Sequence, residues 1–321
     1  TIQAIIENTQ PLNGPMTVMR RDSTAFIAAG WQSHTHKNGA MIFKRIDHGT
    51  TSAASTHELL AAQLGSIATD MGEQLRRTAV SANMKDRLDF SCGLLDAEGF
   101  LVINAPHIPI HLGALGSCIR SVKAVHEFTP GQVIVVNHPR FGGSHLPDLT
   151  VITPIFTFSN ELIGFAANRA HHAEIGGSRP GSMPPDATTL EQEGVVIEPT
   201  VIVEDGTARF DRIENQLRSG KWPSRLVEDN LADLRAQVAA NELAAIRMRG
   251  LVGECTIASL RACCDRLRDS ARRAAERAIE QLPIEIPTSQ ERLDDGTILS
   301  VRMKRSSNPT RLEIDFTSTA S

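Results

Sequence analysis

The chain has 321 residues, and its 33 Lys and Arg against 37 Asp and Glu leave a formal net charge of −4, which excludes a polybasic nucleic-acid binder. At 41% hydrophobic and 22% charged residues the composition is that of a folded globular protein, not of a disordered, collagenous or coiled-coil chain. No window approaches the roughly 18 consecutive apolar residues of a membrane span, and the start lacks a secretory leader pattern, so a cytoplasmic protein with no membrane partner is expected.

Residues 1–45 alternate short β-like runs (Met16–Met19, Thr24–Ile27, Ala40–Phe43) with Gly and Asn turns, Asn38-Gly39 being a strong hairpin signal, and read as a small β module. The polar, small-residue stretch 47–55 has no apolar periodicity and reads as a linker. From Thr56, a candidate N-cap, Leu59, Leu60, Leu64, Ile67, Met71 and Leu75 recur at helical spacing to about Ala79. Asp89–Leu95 and Phe100–Ile103 flank Asp96-Ala-Glu-Gly99 as a hairpin. Leu112–Phe128 is expected to be helical, and Val133–Asn137, Leu149–Phe156 and Leu162–Ala167 to be strands. The Ala/Leu-rich charged stretch Arg225–Gln281 reads as two long packing helices broken near Gly250 and Gly253, followed by strands at Thr297–Met303 and Leu312–Thr317. The expected class is α+β, mixed sheets with long packing helices. The five cysteines, odd in number and without a CxxC pair, read as reduced thiols.

Chemistry concentrates in two segments, Asn137–Asp148 and Arg169–Gly177, each holding a His-x-x-acid unit (His145/Asp148 and His171/Glu174) beside Gly- and Pro-rich turns at strand ends. Imidazole nitrogen with carboxylate oxygen suits Mn, Zn or Fe, and an open coordination position would make the site catalytic. The alternative is that these side chains are hydrogen-bonded turn and cap residues. His111 is a further candidate ligand or general acid/base, unless it merely opens the helix that follows. Lys85 and Arg87, in the charged run Ser81–Cys92, offer donors for a phosphate or carboxylate, or form a solvated loop. Gly176–Pro185 is neither a P-loop nor a dinucleotide fingerprint.

Ser81-Ala-Asn-Met-Lys-Asp-Arg-Leu-Asp-Phe-Ser-Cys92, Ala105-Pro-His-Ile-Pro-Ile-His-Leu-Gly113, Gly142-Gly-Ser-His-Leu-Pro-Asp148, Ala170-His-His-Ala-Glu-Ile-Gly-Gly177 and Pro180-Gly-Ser-Met-Pro-Pro185 together resemble the hydantoinase B / 5-oxoprolinase family. Gly14-Pro15 through Gly30-Trp31 to Gly39–Phe43 resembles the carboxyl-terminal tail of hydantoinase A. The resemblance implies a fused arrangement: 1–46 the end of an A-like half, 47–55 a linker, and 56–321 the amino-terminal part of a B-like half, truncated at its carboxyl end. On this reading the chain is a fragment of a larger multidomain enzyme and is inactive alone.

The resemblance further implies ATP-dependent hydrolysis of a small cyclic amide of the 5-oxoproline or hydantoin type. ATP and Mg belong to the absent hydantoinase A-like half, the partner within the same chain, while the B-like half completes the reaction at a divalent metal. Carried onto this sequence, the metal ligands are His145, Asp148 and His171, with His172 as the alternative to His171. Glu174 is added as a possible fourth ligand. Lys85 and Arg87 would neutralise phosphate, and His111 or Glu174 would move protons. A homo-oligomer is expected. Two other readings stay open at this point: an ATP-dependent carboxylase of the acetone or acetophenone type, and a non-catalytic docking platform.

Overall fold

The computed structural model describes residues 2–4, 11–19, 24–36, 39–46, 53–307 and 310–319. The chain divides into two compact units, Thr1–Leu59 and Leu60–Ser321.

The first unit carries six strands, β1 (Ile2–Ala4), β2 (Leu12–Asn13), β3 (Met16–Met19), β4 (Thr24–Ile27), β5 (Trp31–Thr35) and β6 (Met41–Arg45). They form two three-stranded sheets, ordered β1-β3-β4 and β2-β5-β6. The turn between β5 and β6 closes through Gly39 N donating to His36 O at 2.8 Å, whereas Asn38 of the expected turn pair lies outside the described residues.

The second unit takes in most of α1 (Ala53–Thr78) and continues with α2 (Ala82–Lys85), β7 (Phe90–Leu95), β8 (Leu101–Asn104), α3 (Pro109–Lys123), β9 (Val133–Val136), β10 (Asp148–Phe156) and β11 (Leu162–His171). Next come α4 (Leu190–Glu193), β12 (Thr200–Glu204), β13 (Thr207–Ala208), α5 (Phe210–Arg218), α6 (Val227–Glu254), α7 (Ile257–Glu280) and the separate meander β14 (Glu285–Arg292), β15 (Ile298–Ser307) and β16 (Thr310–Asp315). The class is mixed α+β, as the sequence implies. Of the expected linker, residues 47–52 lie outside the described residues and 53–55 open α1, so the helix starts before Thr56.

Seven antiparallel strands, ordered β13-β12-β9-β10-β11-β7-β8, make the central sheet. Because side chains alternate across a strand, each strand feeds two different cores. Leu149 and Val151 of β10, Ala166 and Ala170 of β11 and Phe90, Cys92 and Leu94 of β7 point to the face covered by α1, α6 and α7. Ile152 of β10 and Phe165 and Ala167 of β11 point instead to Leu115, Cys118, Ile119 and Val122 of α3.

The buried face of α6 is both apolar and polar. Gln237 and Asn241, one turn apart, donate to the β10 carbonyls of Leu149 and Val151, each at 3.0 Å. Asp233 accepts from Val80 N at 2.7 Å and from Ser81 N at 3.3 Å, which anchors the end of α1. The mixed stripe is why this segment shows no clean amphipathic period.

Further boundaries differ from the sequence expectation for physical reasons. Helix α3 begins at Pro109, whose missing N–H costs nothing in a first turn, and ends at Lys123 instead of Phe128. Gly250 and Gly253 lie inside α6; the break falls at Cys255-Thr256, where the Thr256 side chain caps α7 by accepting from Ser259 N at 3.1 Å. Strands β12, β13 and β14 carry weak signals because all their residues but Ile202 are half-exposed or exposed. None of the five cysteines is in a disulfide. Burial pushes the Cys92 thiol up and that of Cys264 to about 12, so neither is a nucleophile near neutrality. Among the described residues no helix is long and apolar enough to cross a membrane.

Candidate metal centre

The site is built where β10 begins and β11 ends. Asp148 and His171 are register partners, directly opposite one another, so their side chains leave the same face of the sheet at its rim. Just before β10 the chain makes a tight turn in which Asp148 N donates to His145 O at 3.0 Å, and this folds the His145 ring over the Asp148 carboxylate. The loop reaches that position through two glycines. Gly142 has φ +80, and a Cβ on Gly143 would stand 2.2 Å from the Asn137 carbonyl oxygen, so the backbone passes where only glycine fits.

Three donor atoms converge: His145 Nε2 lies 3.1 Å from His171 Nδ1, His171 Nδ1 lies 3.1 Å from Asp148 Oδ1, and His145 Nε2 lies 3.5 Å from Asp148 Oδ1. In a tetrahedral site with bonds of about 2.0–2.1 Å, neighbouring donors stand about 3.3 Å apart. The triangle therefore has the size and donor chemistry of half-open Zn, Mn or Fe coordination, and the residues fit a borderline divalent ion. It is the one such group of three among the described residues.

The second carboxylate oxygen points elsewhere. Asp148 Oδ2 accepts from Ser144 Oγ at 2.6 Å and lies 3.3 Å from His111 Nε2, on the first turn of α3. Burial alone would raise the Asp148 carboxyl, but hydrogen bonds from His111, His171 and Ser144 outweigh it and hold the group ionised, well below the ordinary carboxylate range. Burial pushes His145 down, against the pull of Asp148, so its ring keeps a free lone pair at neutral pH. The other ring nitrogen of His111, Nδ1, is buried without a hydrogen-bond partner.

One further acid reaches the rim. Asp89 Oδ2 is 3.9 Å from His171 Nδ1, and Asp89 O accepts from His171 N at 2.9 Å, so the residue before β7 is tied to the ligand strand by its backbone. The preceding residue, Leu88, adopts φ +55, a left-handed conformation uncommon for leucine. The sequence reading treated Asp89 as part of a charged run; its placement depends on a strand pairing 82 residues along the chain.

Of the candidates named from sequence, His111, His145, Asp148 and His171 meet at this one place. Lys85 and Arg87 are exposed on the connection that ends at Asp89 and form no ion pair among the described residues. His172 faces the other side of the sheet: its Nδ1 lies 3.0 Å from Asn230 Oδ1 and its Nε2 3.0 Å from Gln237 Oε1, both on α6. Glu174 is engaged by four donors, Arg225 N at 2.6 Å, Arg225 Nη1 at 2.7 Å, Gly176 N at 2.9 Å and Ser224 Oγ at 3.0 Å. That carboxylate fastens the Gly176-Gly177 loop to the segment entering α6, away from the three donors.

Comparisons with known proteins agree with this architecture. Residues 54–321 match the family described as hydantoinase B/oxoprolinase. The chain is 41% identical to a 5-oxoprolinase of Saccharomyces cerevisiae over 249 residues, 74% of this chain and 19% of that protein. It is 34% identical to 5-oxoprolinase 1 of Arabidopsis thaliana over 339 residues, 96% of this chain and 27% of that protein. The chain thus spans about a fifth to a quarter of the length of these two relatives. Among solved structures, the ATP-dependent caprolactamase from Pseudomonas jessenii superposes with a TM-score of 0.74 at 25% identity, over 83% of this chain and 47% of that one. A nucleotide-free acetone carboxylase shares the fold, with a TM-score of 0.72 at 19% identity over 83% of this chain and 37% of that one. The chain belongs to the hydantoinase B/oxoprolinase family.

Proposed function

We propose that this chain supplies the metal-bearing site of an ATP-dependent hydrolase of cyclic amides, of the 5-oxoproline or hydantoin type. The observation that carries the reading is the open His145/Asp148/His171 triangle at the rim of the central sheet in a chain up to 41% identical to 5-oxoprolinases. Its working partner is a hydantoinase A-like half that holds ATP and Mg, in the same polypeptide or beside it.

A lactam resists water because its amide is resonance-stabilised. Phosphorylation of the amide oxygen in the partner half converts it into an imidate-like phosphate with a good leaving group. When bound, a divalent Mn, Zn or Fe ion supplies Lewis acidity and brings the pKa of a water towards about 7.

The chain's own residues do the rest. Asp148, kept ionised, and the imidazoles of His145 and His171 would hold the ion. His111 Nε2, 3.3 Å from Asp148 Oδ2, is within reach to hold or pass a proton at that oxygen. Lys85 and Arg87, without an ion pair among the described residues and leading into Asp89, are placed to neutralise the phosphoryl group. Asp89 adds a second negative charge at the mouth. His172 and Glu174 fasten the segment that follows the ligand strand to α6 and to the residues entering it.

The test is ATP turnover by the chain assembled with its A-like half, given in turn 5-oxoproline, a hydantoin, and acetone with bicarbonate. ATP cleavage coupled to ring opening of a cyclic amide supports the reading. Turnover confined to acetone and bicarbonate would replace it with a carboxylase.

A further inference from the structure

Arg169 is fully buried, at 0% exposure, and forms no ion pair among the described residues. A guanidinium withdrawn from water without a carboxylate is costly, so its surroundings call for an explanation. It lies on β11 opposite Thr150, two residues before His171 and therefore on the same face of the sheet, one cross-strand pair further in from Asp148 and His171. Its side chain donates to Thr150 Oγ1 at 2.8 Å, Ser144 Oγ at 3.0 Å and the Gly142 carbonyl at 2.8 Å, with the Cys118 thiol beside it.

These contacts fix a proton. Arginine only donates, and a serine hydroxyl carries a single hydrogen. Ser144 Oγ accepts from Arg169, so its own hydrogen is directed at Asp148 Oδ2, 2.6 Å away. With Oδ2 taken by Ser144 and approached by His111, Oδ1 is the oxygen left to face His145 and His171. Through Gly142 O the same guanidinium ties the loop that carries His145 to the strand that carries His171.

We infer that Arg169 is a positioning residue of the metal centre, acting through Ser144 to make Asp148 a one-oxygen ligand with a fixed orientation. This rests on the metal reading above. The Ser144 hydrogen bond also draws charge from the carboxylate, which by itself would weaken the metal bond. Orientation is the larger effect at such sites, where loss of an outer hydrogen-bond partner costs about 10–100-fold in affinity.

The experiment measures Zn2+ affinity by competition with a chromophoric chelator, alongside the melting temperature of the metal-free protein. Wild type, Ser144→Ala, Arg169→Met and the double variant are compared. Ser144→Ala is expected to weaken Zn2+ binding about 10–100-fold in a protein that still folds, with a metal-free melting temperature lowered by the loss of one buried hydrogen-bond partner. The double variant is expected to bind no more weakly than Arg169→Met, because both cut one relay. Should Arg169→Met fail to fold, Arg169→Lys, which keeps the charge but not the three-point geometry, is expected to bind Zn2+ as weakly as Ser144→Ala. Wild-type affinity in Ser144→Ala, or additive losses in the double variant, would overturn this inference alone. A wild-type protein that takes up no Zn2+ would overturn the metal reading with it.

Discussion

His171 and His172 are neighbours in sequence but leave β11 on opposite sides of the central sheet, His171 towards Asp148 on the α3 face and His172 towards Asn230 and Gln237 on α6. Strand alternation alone separates a side chain that can hold an ion from one that braces a helix.

The first prediction follows from that division. His172→Leu would remove the ring that lies between two buried amide oxygens and donates its N–H to one of them, and is expected to lower unfolding free energy by about 1–3 kcal/mol while keeping bound metal. His171→Ala is expected to do the reverse, losing metal with little loss of stability. Denaturant unfolding and metal content, measured on the same samples, separate the two.

Glu174 carries a pH signature. Burial opposes its ionisation, but the Arg225 backbone and side chain, Ser224 and Gly176 N outweigh burial and hold its carboxyl below the ordinary value. A carboxyl depressed in the folded state stabilises fully above the unfolded value of about 4.3, and that stabilisation is lost as pH falls through this value towards the folded one. Glu174→Gln is expected to cost about 1–3 kcal/mol at pH 7. The gap to wild type should narrow as pH drops below about 4.5. Melting curves from pH 7 to pH 3 check this, and a gap independent of pH would refute it.

Asp89 stands next to the triangle without being part of it. Asp89→Asn keeps the shape and the backbone bond to His171 while removing the charge, and is expected to weaken Mn2+ or Zn2+ binding about tenfold. Isothermal titration against wild type is the measurement, and equal affinities would place Asp89 outside the site.

Lys85 and Arg87 are exposed and unpaired among the described residues, so folding does not depend on them. In the complete ATP-driven assembly, Arg87→Ala is expected to lower turnover on the order of 10²-fold at an unchanged melting temperature. Unchanged turnover would exclude Arg87 from phosphate stabilisation.

Much of the fold was legible because long elements carry strong periods. The α1 helix, the β7–β8 hairpin and the β10 and β11 strands all announce themselves by apolar spacing. His145, Asp148 and His171 were also visible, as a His-x-x-Asp unit and a later histidine. What the sequence left open was which histidine of the pair faces the acid. That depends on β11 running to His171 rather than stopping at Ala167, since only a strand reaching residue 171 assigns the two side chains to opposite faces. Asp89 lay inside a charged run, and Ser144 and Arg169 fell within the two chemistry-bearing segments without a role of their own. Each acquires its role from register partners and loop contacts 4 to 82 residues away, which local periodicity does not encode.

The most direct test of the central claim is elemental analysis of the purified protein after equilibration with Mn2+ or Zn2+, wild type beside His145→Ala/Asp148→Ala. Near-stoichiometric metal in wild type and its loss in a folded double variant is the expected result. Equal metal in both proteins, or none in wild type, would contradict a metal centre at His145, Asp148 and His171.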